Sequence, residues 1–329
     1  MKTFKEIDPI LDFIKPKKNF LITAHARPDG DALGSEIAFG LFLKKMDKNV
    51  RIVHLSDIPK EYSFLPGRNM VEEINAPIKG NYDAIIILDS DGFDRLEKLA
   101  GYLPSDLPIL NIDHHPSNNQ FGAVNWADEN MSSVGEMVYY IIKSSPIRLD
   151  KNMAINLYVS LITDTGYFRF DSTTASAHKM ASDLIKGGIS LTEIYRNIYQ
   201  NQSEADLALR CEATRRIKVV AQGKIAYTEL TRGMFRRFKT MPNDSQQYLD
   251  ILKSIKGVAL SFLFRETKEA NDGIKISIRS VTPYNAHELA QTFGGGGHYR
   301  AAGCTIYKPL KQAQKMLVVE ATKFIAKYQ

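Results

Sequence analysis

The chain has 329 residues, with 44% hydrophobic and 24% charged residues, which is the composition of an ordinary globular protein long enough for two domains. Its 2 cysteines argue against a disulfide scaffold, and the absence of an apolar leader or of a run of about 20 apolar residues argues against a secreted or membrane-spanning protein. We therefore expect a cytoplasmic protein with no membrane partner.

The charge is divided unevenly along the chain, although the net charge is only +6. Residues 1–200 hold 22 Lys and Arg against 26 Asp and Glu, whereas residues 201–329 hold 21 against 11. An acidic part suits cation binding, and a basic part suits a polyanionic ligand. Charge alone leaves open that the basic surface is merely solvated.

The first half alternates between apolar runs and helical stretches. Four apolar runs predict strands, at 19–23, 50–55, 84–88 and 108–112. Five stretches predict helices, at 33–45, 134–142, 152–162, 174–186 and 191–199. Because these strands are apolar almost throughout, they indicate an α/β fold whose parallel sheet is covered by helices.

The second half follows a polar stretch, 201–215, that we interpret as a helical linker. Beyond it the pattern predicts strands at 224–230, 258–265, 274–280 and near 304–307, and helices at 285–293 and from residue 310. The domains are therefore expected at 1–200 and 216–329. The second is a smaller mixed α/β domain, and a cleft is expected between the two.

Four clusters of acid and histidine follow apolar runs of the first domain. The candidate ligands in them are His25, Asp29, Asp31, Asp89, His114 and Asp164, with Asp113 and His115 beside His114. Because the carboxyl ends of strands in an open α/β sheet meet in one crevice, the clusters can converge there. Six mixed carboxylate and imidazole ligands suffice for two divalent metals that share a bridging carboxylate, and a set without cysteine favours Mn²⁺.

Several of these residues have structural alternatives. Asp31 stands where a helix begins, so it can be an N-cap, whereas no such role is evident for Asp29. Asp164 ends a helix-like run, where the helix dipole disfavours a carboxylate unless a cation compensates it. Ser160, near Asp164, can be a hydrogen-bond partner of the ligands or an ordinary helix residue, and we favour the latter. Thr173 can lie near the site, but a cap of the next helix is an interpretation at least as strong.

A second group of candidates lies in the basic half. Glycines at 294–297 allow backbone N–H groups to approach an anion closely, although a flexible hinge is the alternative. Arginine suits bidentate phosphate contact, and Arg279 shares one face of its strand with Ser277. The candidate substrate-binding residues are Arg279, Ser277, Gly295, Gly296, Gly297, His298, Arg300 and, more weakly, Arg265.

The motifs, in this order, resemble those of the DHH phosphoesterase family with its DHH-associated C-terminal domain. The size and two-domain layout are more similar to the nanoRNase/pAp-phosphatase branch than to the larger RecJ exonucleases. The resemblance implies a two-metal site, usually of Mn²⁺, with Mg²⁺ or Co²⁺ as substitutes. In it His25 and Asp29 would hold one ion, with Asp89 bridging to a second ion held by Asp31, His114 and Asp164. His115 would face the scissile phosphate as hydrogen-bond donor or acid.

The resemblance further implies an enzyme that hydrolyses short RNA oligonucleotides to nucleoside monophosphates. The cleft would also suit pAp or a linear dinucleotide such as pGpG or pApA. Two metal ions would activate water and neutralise the phosphate under attack. The alternatives are a RecJ-like exonuclease acting on single-stranded DNA and a non-catalytic nucleotide-binding or sensing protein. A homodimer is expected only from its frequency among soluble enzymes.

Overall fold

The computed structural model describes residues 4–55, 58–240, 246–267, 273–297 and 299–328. The chain divides into two compact units, Met1–Asn201 and Gln202–Gln329. Within the described ranges, no helix is both long enough and apolar enough to cross a membrane.

The first unit is built on a six-stranded sheet in which every pair of neighbouring strands is parallel. Its strands are β1 Asn19–Thr23, β2 Asn49–His54, β3 Val71–Glu73, β4 Ala84–Leu88, β5 Ile109–Asp113 and β6 Val124–Ala127. They lie in the order β3-β2-β1-β4-β5-β6. The parallel sheet predicted for this domain is confirmed.

The described residues of this unit form six α-helices: α1 Ile7–Ile14, α2 Gly30–Lys45, α3 Val134–Lys143, α4 Lys151–Asp164, α5 Ala175–Lys186 and α6 Leu191–Tyr199. Three 3₁₀ segments, Lys60–Tyr62, Arg68–Met70 and Phe93–Tyr102, complete it. Successive strand residues face opposite sides of the sheet, so Phe20 and Ile22 pack into the larger hydrophobic core of this unit, which includes residues of its helices. Leu21 faces the smaller core formed with Leu96 and Leu99. Burial on both faces explains the continuous apolar strands.

The strand order places a topological switch point between β1 and β4, which are neighbours in the sheet but distant in sequence. From β1 the chain moves outward to β2 and β3, and it then returns to β4 on the other side. Loops leaving the carboxyl ends of the two strands diverge there, which opens a crevice for a ligand. His25 follows β1 and Asp89 follows β4, so both lie at this crevice.

Helices α2 and α4 pack closely because glycine removes a side chain at their contact. A Cβ atom built on Gly34 would clash with the carbonyl oxygen of Asn156 and would lie 3.0 Å from the backbone N of Ser160. Backbone atoms of a packed helix cannot move aside as a flexible side chain can. Glycine is therefore a steric requirement at this position.

We expect Gly34→Ala to destabilise the first unit by about 1–3 kcal/mol, because overpacking outweighs the helix propensity gained. Denaturant unfolding followed by the fluorescence of Trp126, the single tryptophan, reports on this unit. Gly40→Ala in the same helix is the control, since its Cβ would meet mobile side-chain ends, Ile52 Cδ1 at 3.2 Å and Met70 Cε at 3.4 Å. Equal stability of the two variants would contradict the steric argument.

The second unit has a mixed six-stranded sheet with helices on both faces. Its strands are β7 Lys218–Val220, β8 Ile225–Leu230, β9 Leu260–Glu266, β10 Ile274–Ser280, β11 Gly296–Gly297 and β12 Ala301–Ile306. They lie in the order β11-β12-β10-β9-β8-β7, and β8 pairs with β9 in parallel while the other pairs are antiparallel. The predicted mixed α/β architecture is confirmed.

The helices of this unit are α7 Glu204–Arg215, α8 Arg232–Phe238, α9 Gln246–Lys253, α10 Ala286–Gln291 and α11 Leu310–Ala326. One core lies between the sheet and helices α10 and α11. A second core joins α7, α8 and α9 to the sheet. The stretch interpreted as a linker therefore contains a helix, α7, whose Leu209 and Ala213 are buried in this second core.

Candidate active site

The loop after β1 brings the first two candidate ligands to the crevice. Nε2 of His25 lies 3.3 Å from Oδ2 of Asp89. Asp29 is the N-cap of α2, since its Oδ1 accepts the backbone N–H groups of Asp31 at 2.9 Å and Ala32 at 3.2 Å. The structural alternative for Asp31, that it caps this helix, is therefore wrong, as was the view that Asp29 lacks a structural role, because the cap precedes the first helical residue, Gly30.

Asp31 is fully buried, and its carboxylate faces the N-terminus of α3. Oδ2 accepts the backbone N–H of Val134 at 2.8 Å, and Oδ1 accepts that of Gly135 at 3.1 Å. The Ser160 hydroxyl donates to Oδ1 at 2.5 Å. The interpretation of Ser160 as an ordinary helix residue was therefore wrong: it orients a candidate ligand. One feature of the sequence could have indicated this role: Ser160 lies one helical turn before Asp164, so the two side chains share a face of the helix.

We expect Ser160→Ala to weaken Mn²⁺ binding by about 10-fold or more, because partners that orient a ligand contribute 10–100-fold in metal affinity. Isothermal titration of the metal-free protein measures this. Ser63→Ala is the control, since the exposed Ser63 hydroxyl donates to the Lys60 carbonyl, within its own turn. An affinity for Mn²⁺ unchanged from the wild type would contradict an orienting role for Ser160.

Asp89 lies at the centre of the site. It follows β4 with a left-handed backbone (φ 52°), and its N–H donates to the Ile112 carbonyl at 3.0 Å. Its two carboxylate oxygens face different neighbours: Oδ2 faces His25, and Oδ1 lies 3.9 Å from Nε2 of His114. Among the described residues, Oδ1 is buried with no hydrogen-bond partner. A buried carboxylate oxygen without a donor is well suited to a cation.

His114 and Asp164 form the other side of the crevice. Nδ1 of His114 donates to the Met131 carbonyl at 3.2 Å, which aims Nε2 at Oδ2 of Asp164, 3.0 Å away. The same Nε2 lies 3.8 Å from Oδ2 of Asp31. A carbonyl that accepts from one ring nitrogen fixes the other as a metal ligand. Asp164 is the last residue of α4, as its sequence pattern predicts.

Both ring nitrogens of His115 are hydrogen-bonded, one to a carboxylate and the other to a guanidinium. Nδ1 donates to Oδ1 of the buried Asp113 at 2.7 Å, and Nη1 of Arg95 donates to Nε2 at 3.1 Å. Since arginine has no acceptor, the ring proton lies on Nδ1. Asn118 donates to the other Asp113 oxygen at 2.8 Å. Sequence reasoning missed both Arg95, which lies in the 3₁₀ segment after β4, and Asn118, which lies in the loop after β5. Neither segment was predicted to carry functional side chains.

Three overlapping groups of these side chains, each with its ligand atoms within 4.8 Å of one another, can hold metal ions. They are His25–Asp29–Asp89, Asp31–His114–Asp164 and Asp89–His114–His115. The atoms are carboxylate oxygens and imidazole nitrogens, which suit Mg²⁺, Mn²⁺, Co²⁺ or Zn²⁺. Asp89 belongs to two of the groups. The residues present therefore fit a divalent metal centre.

The electrostatics of the site also favour bound cations. Burial and the charge of Asp89 raise the pKa of Asp29 to about 6, and burial with the charges of Asp89 and Asp164 raises that of Asp31 well above its usual range. Burial lowers the pKa of His25, but the hydrogen bond and charge of Asp89 together with the charge of Asp29 outweigh burial and the smaller opposing effect of Arg95, so the pKa is raised. Positive charge placed among these acids would remove their mutual repulsion.

The candidates of the second unit lie on one sheet. Ser277 and Arg279 share the face of β10 opposite its buried isoleucines. Nη2 of Arg279 donates to Oε1 of Gln246 at 2.9 Å. Arg265 pairs with Lys275 across β9 and β10, four residue pairs along the ladder from the pair of Arg279 with Ser261. The structure thus places all three candidates on the same face, because directly paired residues of antiparallel strands share a face.

The glycine segment is more ordered than a loop. Gly296 and Gly297 form β11, paired with Gly303 and Ala302 of β12, and a Cβ on Gly295 would clash with the Gly303 carbonyl. Gly296 and Gly297 thus lie in a strand and not in a loop, and the alternative of a flexible hinge is wrong for them, because these glycines let one strand approach another. Ser277 also pairs with Gly303, so it lies in the same row as Gly296.

Three further residues complete the comparison with the sequence. Nη2 of Arg300 donates to the Thr282 hydroxyl at 2.9 Å. His298 lies outside the described residues. The α5 helix is capped by Thr174, whose hydroxyl accepts the Ala177 N–H at 3.1 Å, so the expected cap Thr173 was one residue early.

Comparison with known proteins agrees with this architecture. The bifunctional oligoribonuclease and PAP phosphatase NrnA of Bacillus subtilis is 27% identical over 290 residues, or 87% of this chain and 89% of that protein. An exopolyphosphatase-related protein from Bacteroides fragilis is 28% identical, with a TM-score of 0.90 over 97% of this chain and 95% of that chain. RecJ from Thermus thermophilus, solved in complex with Mn²⁺, has a TM-score of 0.53 at 12% identity over 100% of this chain and 56% of that chain, and so shares the fold alone.

Family models cover both units. Residues 19–161 match the DHH family, N-terminal domain, and residues 222–327 match the DHHA1 domain. The first match includes five of the six candidate ligands, and the second includes the glycine segment. The chain therefore belongs to the DHH family, with a DHHA1 domain in its second unit.

Proposed function

We propose that this protein is a metal-dependent phosphodiesterase that hydrolyses short RNA oligonucleotides, including linear dinucleotides, to nucleoside monophosphates and also dephosphorylates pAp. One observation carries the proposal: Asp89 presents its two oxygens to two separate groups of acid and histidine at the switch point of the sheet. The similarity to an oligoribonuclease and PAP phosphatase over most of the chain supports the substrate class.

The site would hold two divalent ions, for which we propose Mn²⁺. One would be held by His25 and Asp29 and the other by Asp31, His114 and Asp164. Asp89, whose Oδ2 lies 3.3 Å from Nε2 of His25 and whose Oδ1 lies 3.9 Å from Nε2 of His114, would be shared between them. Two such ions supply an activated water and neutralise the phosphate under attack. Mg²⁺ and Co²⁺ offer similar coordination and are the expected substitutes.

The protein's own residues fix the geometry of the reaction. Asp31 is held rigidly by the two N–H groups of α3 and by Ser160, so its carboxylate needs little reorganisation on loading. Asp113 orients the ring of His115, and Nε2 of that ring would face the scissile phosphate. The catalytic residues proposed here are therefore His115 and Asp89.

The second unit would bind the remainder of the nucleotide. Its proposed contacts are Arg279, Ser277, Gly295, Gly296, Gly297, His298, Arg300 and Arg265. The placement of Arg265, Ser277 and Arg279 on one sheet face supports a shared role for them in binding phosphate. A cytoplasmic location and a homodimer stay predictions from the sequence.

Arg279→Gln is expected to raise KM for a dinucleotide by about 10-fold, with a smaller change in kcat, because a charged hydrogen bond contributes about 1.5–3 kcal/mol. Steady-state kinetics on a fluorescent dinucleotide measures both constants. The control is Lys275→Gln, which removes the same charge from the same face of β10. If both variants keep the wild-type KM, Arg279 does not hold the substrate.

The proposed activity is tested by identifying products from RNAs of two to about 24 nucleotides, from single-stranded DNA and from pAp, with Mn²⁺ present. Fastest release of monophosphates from the shortest RNAs is the expected result. Preference for long DNA would instead establish a RecJ-like exonuclease. Binding of these nucleotides without turnover would establish a sensing protein.

A further inference from the structure

Arg95 is a cationic residue of the site whose role neither the motifs nor the relatives assign. It lies in the 3₁₀ segment after β4, and its carbonyl accepts the N–H of Ala26 at 2.8 Å, which ties this segment to the loop of His25. Its guanidinium donates to Nε2 of His115 at 3.1 Å. The side chain is 29% exposed, against 12% for His115, so solvent and ligands reach the guanidinium more readily than the imidazole.

The neighbouring described residues use only part of the hydrogen-bond donors of the Arg95 guanidinium. Arginine presents five N–H donors in a planar fork that matches phosphate oxygens. Among the described residues, the bond to His115 is its one side-chain hydrogen bond, and the carboxylate of Asp91 lies 4.0 Å from Nε, beyond hydrogen-bond distance. A ring nitrogen is a weaker acceptor for a cation than an anionic oxygen. An arriving phosphate would therefore compete successfully for this guanidinium.

We propose that Arg95 binds a non-bridging oxygen of the scissile phosphate, and that His115 holds the same guanidinium in place before substrate arrives. The inference rests on the proposed function, which it deepens by naming a phosphate-binding residue in the catalytic unit. Transfer of the guanidinium to the phosphate releases Nε2 of His115, while Asp113 keeps the ring oriented. The positive charge then opposes the negative charge that builds on the phosphate oxygens in the transition state.

The test compares Arg95→Gln with Arg27→Gln. Arg27 is the matched control because it lies on the neighbouring loop, carries the same charge, pairs with Glu97 at 3.2 Å and has a side chain that is 85% exposed. Two quantities are measured for each Mn²⁺-loaded variant: kcat/KM for a dinucleotide, and the Kd of 5′-AMP by calorimetry. Arg95→Gln should lower kcat/KM by about 10²–10³-fold, the cost of losing one transition-state donor, and should weaken AMP binding by at least about 10-fold. Arg27→Gln should stay near the wild type in both.

Chemical rescue distinguishes the loss of a phosphate contact from a folding defect of the variant. For Arg95→Ala, added guanidinium ion at low millimolar concentration should restore part of kcat/KM, whereas a merely structural loss would not respond. Values for Arg95→Gln equal to those of Arg27→Gln, or an Arg95→Ala variant that is inactive and not rescued, would overturn the proposal. If the wild type cleaves no short RNA and no pAp, yet binds AMP in an Arg95-dependent way, the proposed function fails and the phosphate-binding role stands.

Discussion

Asp89→Asn should reduce hydrolysis of a dinucleotide by at least about 10³-fold while leaving the fold intact. A shared carboxylate contributes several kcal/mol through the metals it positions, and each 1.36 kcal/mol is a tenfold change in rate. Asparagine is the right replacement because Asp89 has φ 52°, a left-handed conformation that asparagine tolerates and alanine does not. Single-turnover kinetics with saturating Mn²⁺ measures the loss.

Asp94→Asn is the matched control for this variant. Asp94 lies five residues further along and is exposed, and its replacement removes one carboxylate of the same kind. Circular dichroism and Trp126 fluorescence should be unchanged in both variants. Turnover by Asp89→Asn within about tenfold of the wild type would show that Asp89 does not join the two groups.

Removal of divalent metal is expected to have an equally large effect. Chelation should abolish turnover and Mn²⁺ should restore it, because four buried or half-buried carboxylates then lose the cations that compensate them. Stability should fall as well: Mn²⁺ at 100 times its Kd stabilises the first unit by about 2.7 kcal/mol per site, or roughly 5–10 °C in its unfolding midpoint.

Thermal unfolding followed by Trp126 fluorescence checks the stability effect, and the control is the same scan on Asp89→Asn. That variant should lose most of the Mn²⁺-induced shift. A wild-type protein that turns over substrate fully after exhaustive chelation would refute the metal-dependent reaction.

The convergence of the metal groups could be predicted from sequence because it depends on strand polarity. His25, Asp89 and His114 each follow a buried strand, and the carboxyl ends of parallel strands share one edge. Asp164 could be placed at the end of a helix from its apolar pattern. The strand bounds 19–23 and 84–88 match the structure, since both strands are buried on two faces.

Other features depend on contacts that a linear pattern does not encode. Asp31 accepts hydrogen bonds from the N-terminus of α3 and from Ser160 of α4. All these donors lie more than 100 positions further along the chain, on other helices. Arg95 lies in the 3₁₀ segment after β4, which was not predicted from the sequence and where no pattern marks a functional side chain. The short strands β3, β6, β7 and β11 escaped prediction because two to four residues carry too little alternation to recognise.

The most direct test of the central claim counts the metal ions. Anomalous diffraction from crystals grown with Mn²⁺, together with calorimetry in solution, should show two ions per chain, with oxygens of Asp89 contacting both. His25 and Asp29 should contact one ion, and Asp31, His114 and Asp164 the other. A single ion in a fully active enzyme, or two ions that do not share Asp89, would contradict the account.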